Sequence, residues 1–382
     1  MRTVAISTIG RCCLLMNYGS FFQHYALRQV LKNLGLRPFR VHSDNEYPSL
    51  AVRFKNRLLD ILRPYYWFLT RFPERKKYAN RLRIGYKIEK KFLKDFNLFI
   101  APFDEAMAFD DLTIGIKGGD QVLNPEEDDL IWLSNVVKHN PKICYAASCD
   151  WFSLSGNKKR QQDLRGRLSD FSAIGLREAR GVEMVSGILE HKVDVVRVAD
   201  PVFLLPVTAF RQLESKSKVL KKPTLLCYLV NIRSEKDLDC AELAQLAEAL
   251  GCELRIIGIQ GTEDFAPKGI LLKLGPSEFL KAVDEASYFI TNSFHGLAFG
   301  IIYHRKFLFI PQRNLPGMDQ NERQMELLCR YGLVNRIAEG NAPVADLVSI
   351  IRAVVDWDAV SEITYDEREF SINWLEKSLG LK

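Results

Sequence analysis

The strongest constraint on the fold is a repeated alternation of short apolar runs with segments whose apolar residues follow helical spacing. The first run, residues 3–9 (TVAISTI), is typical of a buried strand. Helical spacing then extends from Gly19 to Leu34, stops at Gly35 and is followed by a second strand-like run over Arg37–Val41. Such alternation predicts an α/β fold, with a mainly parallel sheet and helices on both of its faces.

The alternation divides into two sets separated by a polar, basic stretch at residues 206–222, which has the composition of a linker. Further strands of the first set are predicted at Leu112–Ile116, Lys142–Ser148, Phe171–Leu176 and Val193–Val198. Those of the second set are predicted at Thr224–Val230, Glu253–Gly258, Tyr288–Thr291 and Phe307–Ile310. We therefore predict two doubly wound, Rossmann-like domains, 1–205 and 206–344, with a cleft between their strand ends. Residues 345–382 are predicted to form helices that pack back on the first domain.

Composition and cysteine usage narrow the class of protein. A chain of 382 residues fits two domains of ordinary size, and it has no uncharged apolar stretch of about 18 residues. The N-terminal residues lack the pattern of a signal peptide, so the expected location is the cytoplasm. Eight cysteines occur without a C-x-x-C motif or zinc spacing, so we expect neither a metal nor a cofactor.

The positive charge is concentrated in one segment. Residues 53–95 carry fourteen Lys or Arg against four Asp or Glu, about +10, whereas the whole chain has a net charge of +6. This aromatic-rich stretch predicts a basic helical insertion at about 50–98 in the first domain. It is either a solvated face or a surface at which Tyr65, Tyr66 and Trp67 meet an anionic membrane or a lipid-diphosphate carrier. No nucleic-acid module accompanies the charge, so nucleic acid is not an expected partner.

Polar and glycine-rich motifs follow the predicted strands, and together they resemble one family. The motifs are Asn17-Tyr18-Gly19 with Gln23, GGDQVLNP (Gly118–Pro125), CYAAS (Cys144–Ser148), LREARG (Leu176–Gly181), Asp200-Pro201-Val202 and NSFHG (Asn292–Gly296). Their order and content are similar to the polysaccharide pyruvyl transferase family. Two departures occur in the last motif. Asn292 replaces a common aspartate, and Ser293 stands where other branches carry arginine.

The resemblance implies an architecture like that of GT-B glycosyltransferases and a reaction. The enzyme would move pyruvate from phosphoenolpyruvate onto two sugar hydroxyls as a cyclic ketal, during synthesis of a bacterial exopolysaccharide or cell-surface polysaccharide. The acceptor would be a lipid-linked oligosaccharide or a nucleotide sugar. The implied catalytic residues are His295 and Arg177. The implied substrate-binding residues are Asn17, Tyr18, Gly19, Gly119, Asp120, Gln121, Asn292 and Ser293. Asp200-Pro201 is interpreted as a turn outside the site.

The chemistry explains why these residue types are expected. A guanidinium such as that of Arg177 grips phosphate or carboxylate at two points. His295 begins a helix, so it is either a general acid or a hydrogen-bond donor to phosphate. A further cation for phosphate would come from Lys306, Arg313 or Arg323, the nearest in sequence.

Two other functions remain open at this point. One is a GT-B glycosyltransferase that uses a nucleotide sugar, which the same architecture would accommodate. The other is a non-catalytic binding protein of a polysaccharide assembly complex, which the two departures in the last motif would permit.

Overall fold

A computed structural model of the chain describes most of the two predicted domains. The described residues are 2–7, 18–42, 100–102, 112–118, 123, 141–259, 261–312, 321–338 and 342–382. The predicted basic insertion at about 50–98 lies outside them.

Most of the described strands and helices follow the order that the sequence predicts, with ends that differ by a few residues. The short strands Ile100–Pro102 and Leu271–Leu272 were not predicted. The strands are β1 (Thr3–Ser7), β2 (Arg37–His42), β3 (Ile100–Pro102), β4 (Leu112–Gly118), β5 (Lys142–Ala147), β6 (Ala173–Leu176), β7 (Val195–Arg197), β8 (Thr224–Tyr228), β9 (Glu253–Ile257), β10 (Leu271–Leu272), β11 (Tyr288–Thr291) and β12 (Phe307–Phe309). The α-helices are α1 (Tyr18–Asn33), α2 (Trp151–Ser155), α3 (Lys158–Leu168), α4 (Ala179–Ile188), α5 (Val207–Arg211), α6 (Cys240–Ala249), α7 (Thr262–Phe265), α8 (Pro276–Glu285), α9 (Phe294–Ile302), α10 (Glu322–Arg330), α11 (Val344–Arg352) and α12 (Trp357–Ser378).

These strands form two separate parallel sheets. The first is seven-stranded with the order β3-β2-β1-β4-β5-β6-β7, and the second is five-stranded with the order β10-β9-β8-β11-β12. Every strand pair in both sheets is parallel. Parallel sheets are covered on both faces, which explains why β1 and β5 are buried at every described position and read as continuous apolar runs. The prediction of two doubly wound parallel sheets is confirmed.

The order of strands reverses once in each sheet, and these two points locate the cleft. In the first sheet the reversal lies between β1 and β4, and in the second it lies between β8 and β11. Ligands of such folds bind outside the carboxyl ends of the strands at this reversal. The predicted motifs Asn17-Tyr18-Gly19 and NSFHG follow β1 and β11, and GGDQVLNP follows β4. All three motifs therefore come from strands that border a reversal point.

The two C-terminal helices contact different sheets. Arg336 donates hydrogen bonds to the carbonyls of Ile350 and Ala353, which ties the end of α11 to the second domain. Helix α12 instead lies against the first sheet, where Trp374 packs on Gly175 and Ser371 accepts a hydrogen bond from the Ala199 amide. We propose domain bounds of 1–205 and 206–344, because every described strand of each sheet falls within one of these ranges.

The segment between the sheets is packed rather than extended. Helix α5 lies at the beginning of this segment, residues 206–222. Its Phe210 ring lies edge-on to Phe22 of the first domain and to Phe299 of the second. The described helices include none with the length and apolarity needed to cross a membrane.

Candidate functional site

The site lies where the first turn of α1 meets the start of α9. Gly19 packs so closely on the His295 ring that a Cβ atom at position 19 would overlap Nδ1 and Cγ of the imidazole. A glycine is therefore required here by space. Because β1 and β11 both border a reversal point, this contact joins the reversal points of the two sheets across the domain boundary.

Local structure around β11 fixes the position of His295. Ser293 caps α9, and its Oγ accepts a hydrogen bond from the Gly296 amide at 3.4 Å. Gly296 packs against the Thr291 side chain, with no room for a Cβ atom. His295 is consequently held on the first turn of a helix, where the helix dipole favours a nearby anion.

The Asn292 side chain ties the ends of two neighbouring strands together. Its Oδ1 accepts a hydrogen bond from the Val230 amide at 2.7 Å, and its Nδ2 donates one to the Val230 carbonyl at 2.9 Å. An ionised aspartate only accepts hydrogen bonds, so it would form the first of these and lose the second. The amide at this position therefore has a structural explanation, and its predicted role in substrate binding stays a prediction.

A buried group of polar side chains surrounds the Asp200 carboxylate, which is 1% exposed. Asp200 Oδ2 accepts hydrogen bonds from Gln23 Nε2 at 2.6 Å and from Arg177 Nη1 at 3.0 Å. His295 Nε2 lies 3.7 Å from the same oxygen, within ion-pair range but longer than a hydrogen bond. We call Gln23, Arg177, Glu178, Asp200 and His295 the charged cluster.

Arg177 is held from several sides. Its Nε donates to Glu178 Oε1 at 2.7 Å, and its guanidinium carbon lies 3.9 Å from the centre of the Phe294 ring. Glu178 also accepts a hydrogen bond from Trp151 Nε1 at 3.0 Å. Both carboxylates that bind Arg177 are themselves almost completely buried, so the guanidinium compensates their charges and holds their positions.

Electrostatics keep Asp200 ionised within this cluster. Burial alone would raise the pKa of its carboxyl group. The interaction with His295, the Arg177 charge and the Val202 amide outweigh burial, and together they lower the pKa of Asp200 below its ordinary value. At neutral pH the carboxylate is therefore a hydrogen-bond acceptor that faces His295 Nε2.

A second, largely apolar group lies beside the charged cluster at the same boundary. The Tyr18 ring stacks on Phe279 with centroids 4.3 Å apart and meets the Tyr228 ring edge-on at 5.8 Å. The Tyr18 hydroxyl donates to the Leu274 carbonyl at 2.8 Å. We call Tyr18, Tyr228, Phe279 and Phe22 the aromatic cluster. It fills the crevice at the carboxyl end of β8, and the first domain supplies Tyr18 and Phe22 to it.

Helix α10 adds ionic contacts between the domains next to Arg177. The Glu326 carboxylate accepts two hydrogen bonds from the Ala179 amide, at 2.9 and 3.1 Å, and so caps α4. Arg180 pairs with Glu322 across the boundary at 2.6 Å, whereas Arg330 pairs with Glu326 within α10 at 2.6 Å. Helix α10 of the second domain thus contacts the start of α4 in the first domain directly.

The structure brings four predicted site residues together, because Tyr18, Gly19, Arg177 and His295 lie at the domain boundary. Asn17, Gly119, Asp120 and Gln121 lie outside the described residues. Lys306 comes just before β12, whereas His295 follows the carboxyl end of β11. The two residues therefore lie at opposite ends of the parallel sheet, although they are close in sequence.

Sequence reasoning left Asp200 outside the site, and the structure puts its carboxylate at the centre of the charged cluster. The interpretation as a turn is also supported, since Asp200 Oδ1 accepts a hydrogen bond from the Val202 amide. Gln23 was noted only as part of a motif. One signal could have identified both residues. Each belongs to a motif that follows a strand of the first sheet, as Arg177 does, and the carboxyl ends of parallel strands lie at the same edge.

Comparison with known proteins agrees with the motifs. Residues 17–314 match the family model described as polysaccharide pyruvyl transferase, a range that covers well over half of the chain. No curated protein gives a significant sequence match.

Solved structures with similar folds have very different sequences. A putative UDP-N-acetylglucosamine 2-epimerase from Listeria monocytogenes is 9% identical, covers 98% of this chain and 94% of its own, and has a TM-score of 0.54. The UDP-GlcNAc 2-epimerase from Methanocaldococcus jannaschii is 11% identical, with 93% of each chain covered and a TM-score of 0.52. Arabidopsis thaliana UGT89C1, complexed with UDP, is 10% identical, with 99% of each chain covered and a TM-score of 0.52. At these identities the likeness establishes a GT-B-like fold and nothing about the reaction.

Proposed function

This chain belongs to the polysaccharide pyruvyl transferase family, and we propose that it transfers pyruvate from phosphoenolpyruvate to two hydroxyls of a sugar as a cyclic ketal. The observation that carries the proposal is His295, buried at the domain boundary on the first turn of α9 and facing the Asp200 carboxylate. The site combines an imidazole, which can donate or accept a proton, with a helix terminus that favours a phosphate or carboxylate.

The reaction begins with a proton. His295 delivers it to the methylene carbon of phosphoenolpyruvate, whose π electrons form the new C–H bond and leave an oxocarbenium-like carbon. One sugar hydroxyl attacks that carbon and gives up its proton, which returns to His295. The bond from this carbon to the phosphate oxygen then breaks with its electron pair on phosphate. A second hydroxyl closes the ring, and its proton leaves with the phosphate.

Arg177 has a supporting role in this proposal. Its guanidinium already binds Glu178 and Asp200, so its main contribution is to hold the Asp200 carboxylate beside His295. The predicted two-point grip on the donor would require a further contact beyond these two. Loss of Arg177 would therefore affect the position of His295 as well as donor affinity.

The nucleotide-sugar alternative meets an obstacle in the second domain. The crevice at the carboxyl end of β8 holds the Tyr18 ring, stacked on Phe279 and hydrogen bonded to Leu274. Ligands of doubly wound sheets bind in this type of crevice. A nucleotide there would have to displace a first-domain side chain from a buried position. This counts against a nucleotide-sugar donor in this crevice, and it places any nucleotide-sugar acceptor elsewhere in the cleft.

The acceptor and location follow from the resemblance. We propose a lipid-linked oligosaccharide or a nucleotide sugar as acceptor, and action in the cytoplasm at the inner face of the membrane. The basic segment at about 50–98 would attract an anionic surface there.

The experiment is a phosphate-release assay with phosphoenolpyruvate and a panel of sugar acceptors, with the product checked by mass spectrometry. We expect wild-type protein to release phosphate only with an acceptor, and the product to gain one pyruvyl ketal. In His295→Gln the rate of phosphate release should fall by about 100-fold or more, because general acid catalysis is lost. A folded wild-type chain that releases phosphate with none of the acceptors, or a His295→Gln variant as active as wild type, would contradict the proposal.

A further inference from the structure

The two nitrogens of His295 face different parts of the site. Nε2 lies 3.7 Å from Asp200 Oδ2 and makes no hydrogen bond in the described part of the structure. Nδ1 is the second ring nitrogen, and Gly19 packs over the face of the ring beside Nδ1 and Cγ. The Asp200 carboxylate comes from the first domain and His295 from the second, so their distance depends on how closely the two domains meet.

The Asp200 carboxylate is held in place by groups of the first domain alone, independently of His295. Gln23 and Arg177 both donate to Oδ2, and the Val202 amide donates to Oδ1. The carboxylate is ionised and buried, so it accepts a hydrogen bond and has none to donate. A ring nitrogen facing such an oxygen at short range is favourable only when that nitrogen carries a hydrogen.

We infer that Asp200 is a positioning residue that holds a hydrogen on Nε2 of His295 and leaves Nδ1 as the nitrogen that exchanges its proton with the substrate. The inference rests on the proposed function for the substrate step, but the location of the hydrogen is a property of the protein alone. Closure of the domains by about 0.8 Å at this point would convert the 3.7 Å contact into a hydrogen bond. Such tightening on ligand binding is common for catalytic hydrogen bonds.

Gly19 belongs to the same arrangement. Because it has no Cβ atom, the backbone at the start of α1 can lie directly against the Nδ1 side of the ring. The Asp200 contact fixes the Nε2 edge of the imidazole, and Gly19 packs on the face of the ring beside Nδ1. The ring orientation is thus determined by two first-domain residues, although His295 belongs to the second domain.

The first test reads the hydrogen directly and needs no turnover. Nitrogen-15 NMR of histidine-labelled full-length protein, with the His295 signals assigned by their loss in His295→Gln, reports which ring nitrogens are protonated. We expect Nε2 of wild-type His295 to carry a hydrogen, and Asp200→Asn to change the His295 nitrogen signals. A wild-type His295 with a bare Nε2 would overturn the inference even if Asp200→Asn fails to fold. Unchanged signals in a folded Asp200→Asn variant would overturn it as well.

The second test separates positioning from donor binding. In the phosphate-release assay Asp200→Asn should lower kcat about 100-fold, while its affinity for phosphoenolpyruvate, measured by calorimetry, stays within about threefold of wild type. The matched control is Asp170→Asn, which removes a carboxylate that is 68% exposed and lies 3.4 Å from Lys142 Nζ. Unchanged kcat in Asp200→Asn would overturn the inference. Wild-type protein without any turnover would contradict the proposed function alone, and the NMR measurement would still decide the inference.

Discussion

The charged cluster and the aromatic cluster lie side by side at the same domain boundary and are built on opposite principles. In the aromatic cluster, Tyr18 stacks on Phe279 and satisfies its one buried polar group at the Leu274 carbonyl. In the charged cluster, Asp200 and Glu178 are buried carboxylates whose charges are compensated mainly by one guanidinium. Burial of aromatic area stabilises the closed pair of domains, whereas buried charge costs free energy unless every partner is present.

This contrast assigns stability to one cluster and chemistry to the other. Stacked rings give cohesion that tolerates small changes in shape. A buried ion pair depends on its partners, and the removal of one leaves the others uncompensated. The boundary therefore joins a cohesive apolar contact to a polar one that is sensitive to the exact distance between the domains.

The largest effect is expected from breaking the charged cluster at its cation. Arg177→Met leaves the Glu178 and Asp200 carboxylates buried without their shared partner, and we expect a loss of about 3–5 kcal/mol in the free energy of unfolding. Urea denaturation measures it. Arg165→Met is the matched control, because its ion pair with Glu190 is half exposed and its loss should leave stability almost unchanged. Equal stability of the two variants would contradict a compensating role for Arg177.

Truncation of the aromatic cluster should cost somewhat less. Tyr18→Ala removes a completely buried ring and should lower the free energy of unfolding by about 3 kcal/mol. Tyr18→Phe keeps the ring and loses only the hydrogen bond to Leu274, at about 1 kcal/mol. Thermal denaturation of both variants separates the two contributions. A Tyr18→Phe variant as unstable as Tyr18→Ala would show that the hydroxyl, and not the stacking, dominates.

A smaller change at the contact between the clusters should affect the chemistry more than the fold. Gly19→Ala puts a methyl group against His295, which should displace the ring, lower kcat at least tenfold and cost about 1–3 kcal/mol of stability. Gly187→Ala in α4, where a Cβ atom meets nothing within 4 Å, should instead be neutral or slightly stabilising. Wild-type kcat in Gly19→Ala would refute the close fit of His295.

The last prediction concerns how the stability contributed by ionised Asp200 depends on pH. Because its folded pKa is lowered, Asp200 contributes stability above the pKa of an unfolded aspartate, about 3.9, and that contribution declines as the pH falls through the lower folded value. The melting temperatures of wild type and Asp200→Asn should therefore approach each other as the pH falls below about 4. Glu190 provides a comparison, because it is exposed and its pKa is lowered to about 2 by Lys192 and Arg165. Added salt should weaken the contribution of Glu190 to the pH dependence of stability and leave the contribution of buried Asp200 unchanged. A gap between the Asp200→Asn and wild-type curves that is independent of pH would contradict an ionised Asp200.

Much of the fold could be predicted from the sequence because parallel strands leave a clear pattern. Runs such as TVAIS are buried on both faces and stand out as continuous apolar segments. The helix after β1 ends at Asn33, two residues before the stop predicted at Gly35. The segment at 206–222 was less predictable. Its polar composition suggests a linker, yet tertiary packing buries Phe210 between the domains.

Several residues of the site were predicted from the sequence, but Asp200, which lies at its centre, was not. His295 and Arg177 were identifiable because their motifs follow strand ends. The importance of Asp200 was hidden, because an Asp-Pro pair also forms a turn, and here the two carboxylate oxygens do both tasks. Its contacts with Gln23 and His295 span 177 and 95 positions, distances over which no periodicity carries information.

The central claim is that His295, oriented at the domain boundary, belongs to a site for phosphoenolpyruvate. The most direct test is a calorimetric titration of phosphoenolpyruvate into wild type and into His295→Gln, with melting temperatures measured on both. The account predicts saturable binding by wild type, about tenfold weaker in the variant or roughly 1.4 kcal/mol, with little change in melting temperature. Equal affinity in the two folded proteins, or no binding by wild type, would contradict it.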